Sequence, residues 1–285
     1  MKRRMLGYVL VLGAFLVAPS PAVAQAVYHH VHLTVPDGVE ATQWYIKHMG
    51  CGPVDGRADA ALCNSTKLYF WSRESEGPSV GTGVNHIGFA FDDLDAKVAA
   101  LEAAGILLDE PGVRDIPGLF RIAFFTQWGT RIELVEDEGF EGFHHLHLSS
   151  PNPEETLAWY QEMFGGERTK MNNMLDAVLF RGATPPSGKV WLLVSQAQGS
   201  VAPNKGRAID HLGFSFTDIV SAAAGLKQKG TEYDVEPGPL RGHHSGEPFG
   251  RGHLTLRKYS FVYGPDDVWI EIVECFEPSH CGRID

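Results

Sequence analysis

Apolar and polar positions alternate at the start of four stretches of this chain: His29-His30-Val31-His32-Leu33-Thr34-Val35, Asn85-His86-Ile87-Gly88-Phe89-Ala90-Phe91, His144-His145-Leu146-His147-Leu148-Ser149-Ser150 and Asp210-His211-Leu212-Gly213-Phe214-Ser215-Phe216. A period of two predicts β-strands. Val31, Leu33, Ile87, Phe89, Leu146, Leu148, Leu212 and Phe214 then make an apolar packing face, which puts His30, His86, His145 and His211 on the opposite one. Two later segments, Arg131-Ile132-Glu133-Leu134-Val135 and Trp269-Ile270-Glu271-Ile272-Val273, alternate in the same way. Parity sends Glu133 and Glu271 to the histidine-bearing face, so each half of the chain offers two histidines and one glutamate. His29 and His144, one residue earlier, are predicted to face the helix side as structural residues.

The four stretches head four units, beginning near Tyr28, Val84, Phe143 and Ile209. The first and third are close copies: Tyr28 to Pro36 leads on to Trp44, Tyr45 and Gly50, and Phe143 to Pro151 leads on to Trp159, Tyr160 and Gly165. The second and fourth match each other, giving an ABAB duplication. Within a unit the opening strand is followed by a predicted helix. In the second, Asp93 is placed to cap it, Leu94, Val98 and Leu101 recur at helical spacing, and Gly105 stands where a terminating glycine belongs. Short strands with Gly-containing turns follow, for example 121–126 and 130–135. Each unit therefore reads β-α-β-β-β, an α+β class, with polar connectors at 72–83, 136–142 and 196–207.

The first 26 residues read as a secretory signal peptide: Lys2, Arg3 and Arg4, an apolar run from Leu6 to Ala18, and Ala22-Val23-Ala24 before Gln25. The apolar run is shorter than the roughly 20 residues of a membrane span. Secretion to the periplasm or beyond is the expectation, with no span after cleavage. Losing the three leader cations from 24 Lys and Arg leaves 21 against 35 Asp and Glu. Such an acidic surface repels phosphate backbones, so nucleic acid is not an expected partner. In an oxidising compartment the four cysteines tend to pair, and sequence proximity favours Cys51 with Cys63 and Cys275 with Cys281.

The repeated histidine strand and the closing Ile-Glu-Leu resemble the vicinal oxygen chelate superfamily, which includes glyoxalase I, extradiol dioxygenases, fosfomycin-resistance enzymes and bleomycin-binding proteins. The likeness runs over the whole mature chain. It implies four βαβββ modules pairing into two open, cup-shaped barrels: residues 27–138 as a first domain (modules 1 and 2), 139–276 as a second (modules 3 and 4), and 277–285 as a tail. It further implies a divalent metal in each cup, held by His30, His86 and Glu133 in the first and by His145, His211 and Glu271 in the second. Two imidazoles and a carboxylate on one face leave open coordination positions, which suits Fe(II), Mn(II) or Zn(II), with Fe(II) favoured by the likeness to extradiol dioxygenases. At the position where some relatives supply a fourth ligand, alignment places Tyr69 and Trp191, which disfavours a four-ligand glyoxalase pattern.

His32 and His147 lie two residues beyond a candidate ligand and so on the same face. They are candidate acid/base or substrate-contacting groups, or supports for the ligands. The fourth unit carries an Arg/Gly/His-rich insertion, 239–253. Against extradiol dioxygenases, His253, Pro265 and Glu271 keep the active-site register, making His253 a catalytic candidate, while Phe261 stands in place of the expected Tyr. The resemblance thus implies an exported metal-dependent enzyme, an extradiol-type dioxygenase acting on a small oxygen-chelating substrate. The alternatives are a glyoxalase-like lyase or isomerase and a non-enzymatic small-molecule binding protein.

Overall fold

The computed structural model describes residues 25–110, 112–183, 188–239 and 258–275. Each predicted unit is present as β-α-β-β-β. The first comprises β1 (Val27–Val35), α1 (Gly38–Met49), β2 (Gly52–Val54), β3 (Arg57–Cys63) and β4 (Thr66–Ser72); the second, β5 (Val84–Phe91), α2 (Leu94–Ala103), β6 (Arg114–Asp115), β7 (Arg121–Gln127) and β8 (Thr130–Glu136). The third runs through β9 (Gly142–Ser150), α3 (Pro153–Phe164), β10 (Glu167–Met171), β11 (Leu175–Arg181) and β12 (Lys189–Gln196). The fourth has β13 (Ile209–Phe216), α4 (Ile219–Gln228), β14 (Tyr233–Pro239), β15 (Lys258–Tyr263) and β16 (Trp269–Glu274). The Asp93 carboxylate caps α2 by accepting from the Ala96 amide, and Gly105 turns the chain out of that helix at a φ of 81°.

These strands form two eight-stranded sheets, both open rather than closed into barrels. One has the order β14-β15-β16-β13-β1-β4-β3-β2 and the other β10-β11-β12-β9-β5-β8-β7-β6. Module 1 therefore completes its sheet with module 4 (cup A), and module 2 with module 3 (cup B). This corrects the sequential pairing of modules 1 with 2 and 3 with 4. Residues 27–138 and 139–276 are like halves of the sequence, but each cup takes one module from each half. The reason lies at the edges: the free side of β1 pairs antiparallel with β13, and that of β5 with β9.

The apolar faces of both sheets and one side of each helix merge into a single core. Tyr45 of α1 meets Phe70 of its own sheet at 5.2 Å between ring centroids and Phe89 of the other sheet at 6.1 Å. Phe143 lies against both Tyr28 and Phe89, at 6.1 and 5.6 Å. The concave faces are left for the histidines. Cys51 and Cys63 form a disulfide that ties the second residue after α1 to the end of β3. Cys275 is also disulfide-bonded, but the predicted Cys275–Cys281 link lies outside the described residues. Cross-linking the Cys51–Cys63 loop should contribute about 2–4 kcal/mol. Replacing both cysteines by Ala is expected to lower Tm by roughly 5–10 °C, checked by thermal melts of both forms.

Candidate metal centres

Sheet register decides which side chains meet. In cup A, His30 stands opposite Gly213 and His32 opposite His211 across the β1–β13 ladder, and Glu271 of β16 pairs with Gly213. Cup B repeats the arrangement: Gly88 stands opposite His145, His86 opposite His147, and Glu133 of β8 pairs with Gly88. The six predicted ligands are thus gathered as His30, His211 and Glu271 in cup A and His86, His145 and Glu133 in cup B. The sets His30–His86–Glu133 and His145–His211–Glu271 are not brought together, because the partners of β1 and β5 are β13 and β9.

Within each cup the ligand atoms converge on one carboxylate oxygen. Oε2 of Glu271 lies 3.0 Å from Nε2 of His30 and 3.3 Å from Nε2 of His211; Oε2 of Glu133 lies 2.7 Å from Nε2 of His86 and 3.2 Å from Nε2 of His145. His32 and His147 join them, and in each four-residue group all the candidate ligand atoms fall within 4.8 Å of one another. The two glycines make this crowding possible. A Cβ on Gly88 would sit 2.0 Å from Cε1 of His145, and one on Gly213 the same distance from Cε1 of His30. The imidazole occupies the space any side chain there would need.

Four β-bulges, unseen by strict alternation, complete the centres. The ladders skip His29 on β1, Asn85 on β5, His144 on β9 and Asp210 on β13. An extra residue reverses the parity that follows it. Tyr28, Val84, Phe143 and Ile209 can therefore face the core while the histidines two residues on face the cup. Each bulge also swings the extra side chain onto Nδ1 of the histidine that follows. His29 Nδ1 to His30 Nδ1 is 2.8 Å, Asn85 Oδ1 to His86 Nδ1 2.9 Å, His144 Nδ1 to His145 Nδ1 2.8 Å and Asp210 Oδ1 to His211 Nδ1 2.6 Å. His29 and His144 are thus not helix-side structural residues, as parity alone predicted. His144 continues through Nε2 to Asp137, 3.2 Å away, and Asp210 also accepts from Arg73 and from the Gly206 amide. Asn85, Asp137 and Asp210 were missed as site residues. The signal available for Asn85 and Asp210 was their place directly before a strand histidine.

The donor set fits a cation. A neutral imidazole carries one N–H, yet His211 faces two carboxylates, Asp210 at Nδ1 and Glu271 at Nε2. Burial works to lower the His211 pKa, but these two acceptors outweigh it and hold it above the ordinary value. A divalent ion at Nε2 would meet the same demand while Nδ1–H remains bonded to Asp210. Burial holds the pKa of His30, His86 and His147 below the usual imidazole range and that of His144 at about 4. Burial pushes the Glu133 and Glu271 carboxyls up, but hydrogen bonds from the cup histidines overcome it and leave both below the ordinary range.

These directions set the acid response of the metal-free protein. Histidines with depressed folded pKa values contribute stability that is whole above about pH 6.5 and lost below it, because only the unfolded chain then binds their protons. The two carboxylates add a further loss below about pH 4.5, and His211 opposes the trend. The metal-free Tm is expected to fall between pH 7.5 and pH 5, measured in the presence of a chelator; an unchanged Tm would contradict the depressed pKa values of His30, His86, His144 and His147.

The cups differ in their walls. In cup B a cavity of about 180 Å³ reaches His86, Glu133, His145 and His147 between apolar side chains that include Phe120, Ile122, Phe124, Met171, Leu175 and Leu193, with Arg114 as its one cation. Beside cup A a hollow of about 520 Å³ is lined by Trp71, Arg73, Lys205, Asp210, Asp234 and Trp269. Tyr69 pairs with His32 as Glu271 pairs with Gly213, the slot alignment gave it. In cup B the corresponding residue is Leu193, opposite His147, and not Trp191, which pairs with His145. Phe261 packs on Trp269 at 4.1 Å and edge-on to His211 at 5.2 Å, and Phe124 stands edge-on to His86 at 5.4 Å in the equivalent place. His253 lies outside the described residues, as do residues 1–24 of the predicted leader. Among the described residues no helix is long and apolar enough to cross a membrane.

Paired βαβββ modules with a histidine-and-glutamate floor define a class of cup-shaped proteins, and the wider comparison places the chain within it. The family model for the Glyoxalase/Bleomycin resistance protein/Dioxygenase superfamily matches residues 27–134 and again 142–272, and the protein belongs to that superfamily. Among solved structures, glyoxalase I from Zea mays is similar over 88% of this chain and 92% of its own, with 17% identity and a TM-score of 0.65. A putative dioxygenase from Bacillus subtilis is similar over 89% and 86%, with 15% identity and a TM-score of 0.59. At such identities these likenesses speak for the fold. No curated protein matches the chain.

Proposed function

We propose that each cup binds one divalent cation, through His30, His211 and Glu271 in cup A and through His86, His145 and Glu133 in cup B, and that the protein is a metal-dependent enzyme acting on a small molecule with adjacent oxygens. The observation that carries this reading is the convergence of two imidazole Nε2 atoms on one glutamate oxygen in both cups. The ion would supply Lewis acidity and, as Fe(II), the capacity to activate dioxygen. The chain's own contribution is clearest in cup B. Apolar walls favour a substrate with an apolar body. His147 is half-buried, desolvation holds its pKa low, and its buried Nδ1 has no hydrogen-bond partner. In this role it accepts a proton from a substrate hydroxyl, and His32 holds the equivalent place in cup A.

Extradiol-type dioxygenation is the leading reaction. Three protein ligands leave positions for two substrate oxygens and dioxygen, which makes Fe(II) the expected ion. The second reading, a glyoxalase-like lyase or isomerase, rests on Phe124 and Phe261, which put rings without a hydroxyl beside His86 and His211 where ring cleavage would use a tyrosine. His253, outside the described residues, remains a proposed catalytic group of the first reading alone. Export to an oxidising compartment accords with the Cys51–Cys63 disulfide. Metal analysis of anaerobically purified protein, with an oxygen electrode and a catechol, tests the proposal. Iron with oxygen uptake is expected; a non-redox metal without uptake would move the assignment to the second reading, and absence of any bound divalent metal would overturn both.

A further inference from the structure

The residues bonded directly to the ligand imidazoles differ between the cups at one place, while one step further out the bulged His144 of cup B reaches the Asp137 carboxylate at 3.2 Å. The ligands His30 and His145 each have a histidine at Nδ1, both at 2.8 Å. Cations act on both centres from nearby, Lys67 on His30 and Arg131 on His86. The remaining arm is unmatched. In cup A the His211 Nδ1–H donates to the carboxylate of Asp210 at 2.6 Å; in cup B the His86 Nδ1–H donates to the neutral amide oxygen of Asn85 at 2.9 Å. Asp210 is fully buried and doubly anchored, accepting from the Gly206 amide at 2.8 Å and from Arg73. Arg73 is itself 45% exposed and lies over the Trp71 ring at 4.4 Å, so water screens part of its charge. The carboxylate thus keeps a net pull on the imidazole proton.

A carboxylate at Nδ1 makes Nε2 a stronger donor than an amide does, and such partners change metal affinity by roughly 10–100-fold. Resting on the ion reading proposed above, we infer that Asp210 and Asn85 are positioning residues that grade the two centres: Asp210 makes cup A the tighter site, and Asn85 leaves cup B the weaker and more readily exchanged one. The two otherwise equivalent repeats are then a retained ion and an exchangeable one.

The test is Zn(II) titration against a chromophoric competing chelator, using the full chain with Glu133→Ala to isolate cup A and with Glu271→Ala to isolate cup B. Cup A is expected to bind roughly 10–100-fold more tightly. Asp210→Asn should remove most of that advantage, and Asn85→Asp should tighten cup B by a similar factor. The second exchange keeps the test decisive if Asp210→Asn disturbs folding, since a gain of affinity does not come from structural damage. Co(II) absorption adds a readout that a merely structural role would not move: band intensity, and hence coordination number, should be unchanged while affinity shifts. Equal affinities that neither exchange alters would overturn the inference with the ion reading intact. No Zn(II) binding in either background would overturn the ion reading itself, and this inference with it.

Discussion

Metal stoichiometry should fall from two ions per chain to one in His145→Ala and in Glu133→Ala alike, and combining those two substitutions should remove nothing further. His30→Ala and Glu271→Ala should likewise empty a single common site, leaving the first undisturbed. Each substitution deletes one of three converging ligands. Loss of one of three ligands leaves too few bonds to offset the ion's dehydration, so affinity in the affected cup should drop by more than the roughly 10–100-fold that loss of an outer partner costs. The measurement is metal content after dialysis, together with Zn(II) titration of the single and double variants. The crosswise grouping makes the result diagnostic. If His30→Ala and Glu133→Ala proved to share a site, the sheet pairing of β1 with β13 would be wrong; if no variant lost metal, the centres would not be metal sites.

Gly88→Ala and Gly213→Ala are the smallest changes expected to have a large effect. The added methyl would lie 2.0 Å from Cε1 of His145 or of His30, well inside van der Waals contact, on sheets whose backbones cannot retreat. The ring must rotate away, which breaks both its Nδ1 bond to the bulged histidine and its approach to the glutamate. Overpacking of this kind costs roughly 1–3 kcal/mol, and the ion of the affected cup should go with it while the other cup keeps its own. Gly52→Ala is the control, because a Cβ there meets nothing closer than the Leu62 carbonyl at 3.9 Å. Thermal melts and metal content of the three variants check the expectation. A Gly88→Ala protein with both ions and an unchanged Tm would show that His145 does not occupy the space assigned to it.

Much of this was legible from hydrophobic periodicity. The four module openings and the turn of Glu133 and Glu271 toward the histidines follow from a period of two, and the helix of the second unit from the helical spacing of Leu94, Val98 and Leu101. The pairing of modules did not, since each half carries the same two histidines and one glutamate, and nothing local to β1 distinguishes an edge that pairs with β5 from one that pairs with β13. The bulges escaped for a different reason. Parity counting assumes an unbroken ladder, so it sent His29 and His144 to the core side, whereas one extra residue in each strand turns them toward the cup. The misplacement of Trp191 is a two-residue slip that preserves parity, which is why side-chain pattern could not detect it and only the register of β12 on β9 could.

Cup B is built from one continuous stretch of chain, β5 through β12, with cup A made from what precedes and follows it. A ribosome therefore delivers every strand of cup B by residue 196, while β1 waits with one side bonded to β4 and the other bare until Ile209 opens β13. For most of synthesis the N-terminal strand is a half-finished edge, nine residues long and fully apolar on one face, the kind of template that recruits a wrong partner. The order of assembly is nested, centre before ends. Loss of the last module would therefore expose the first strand of the protein and not merely shorten its last sheet.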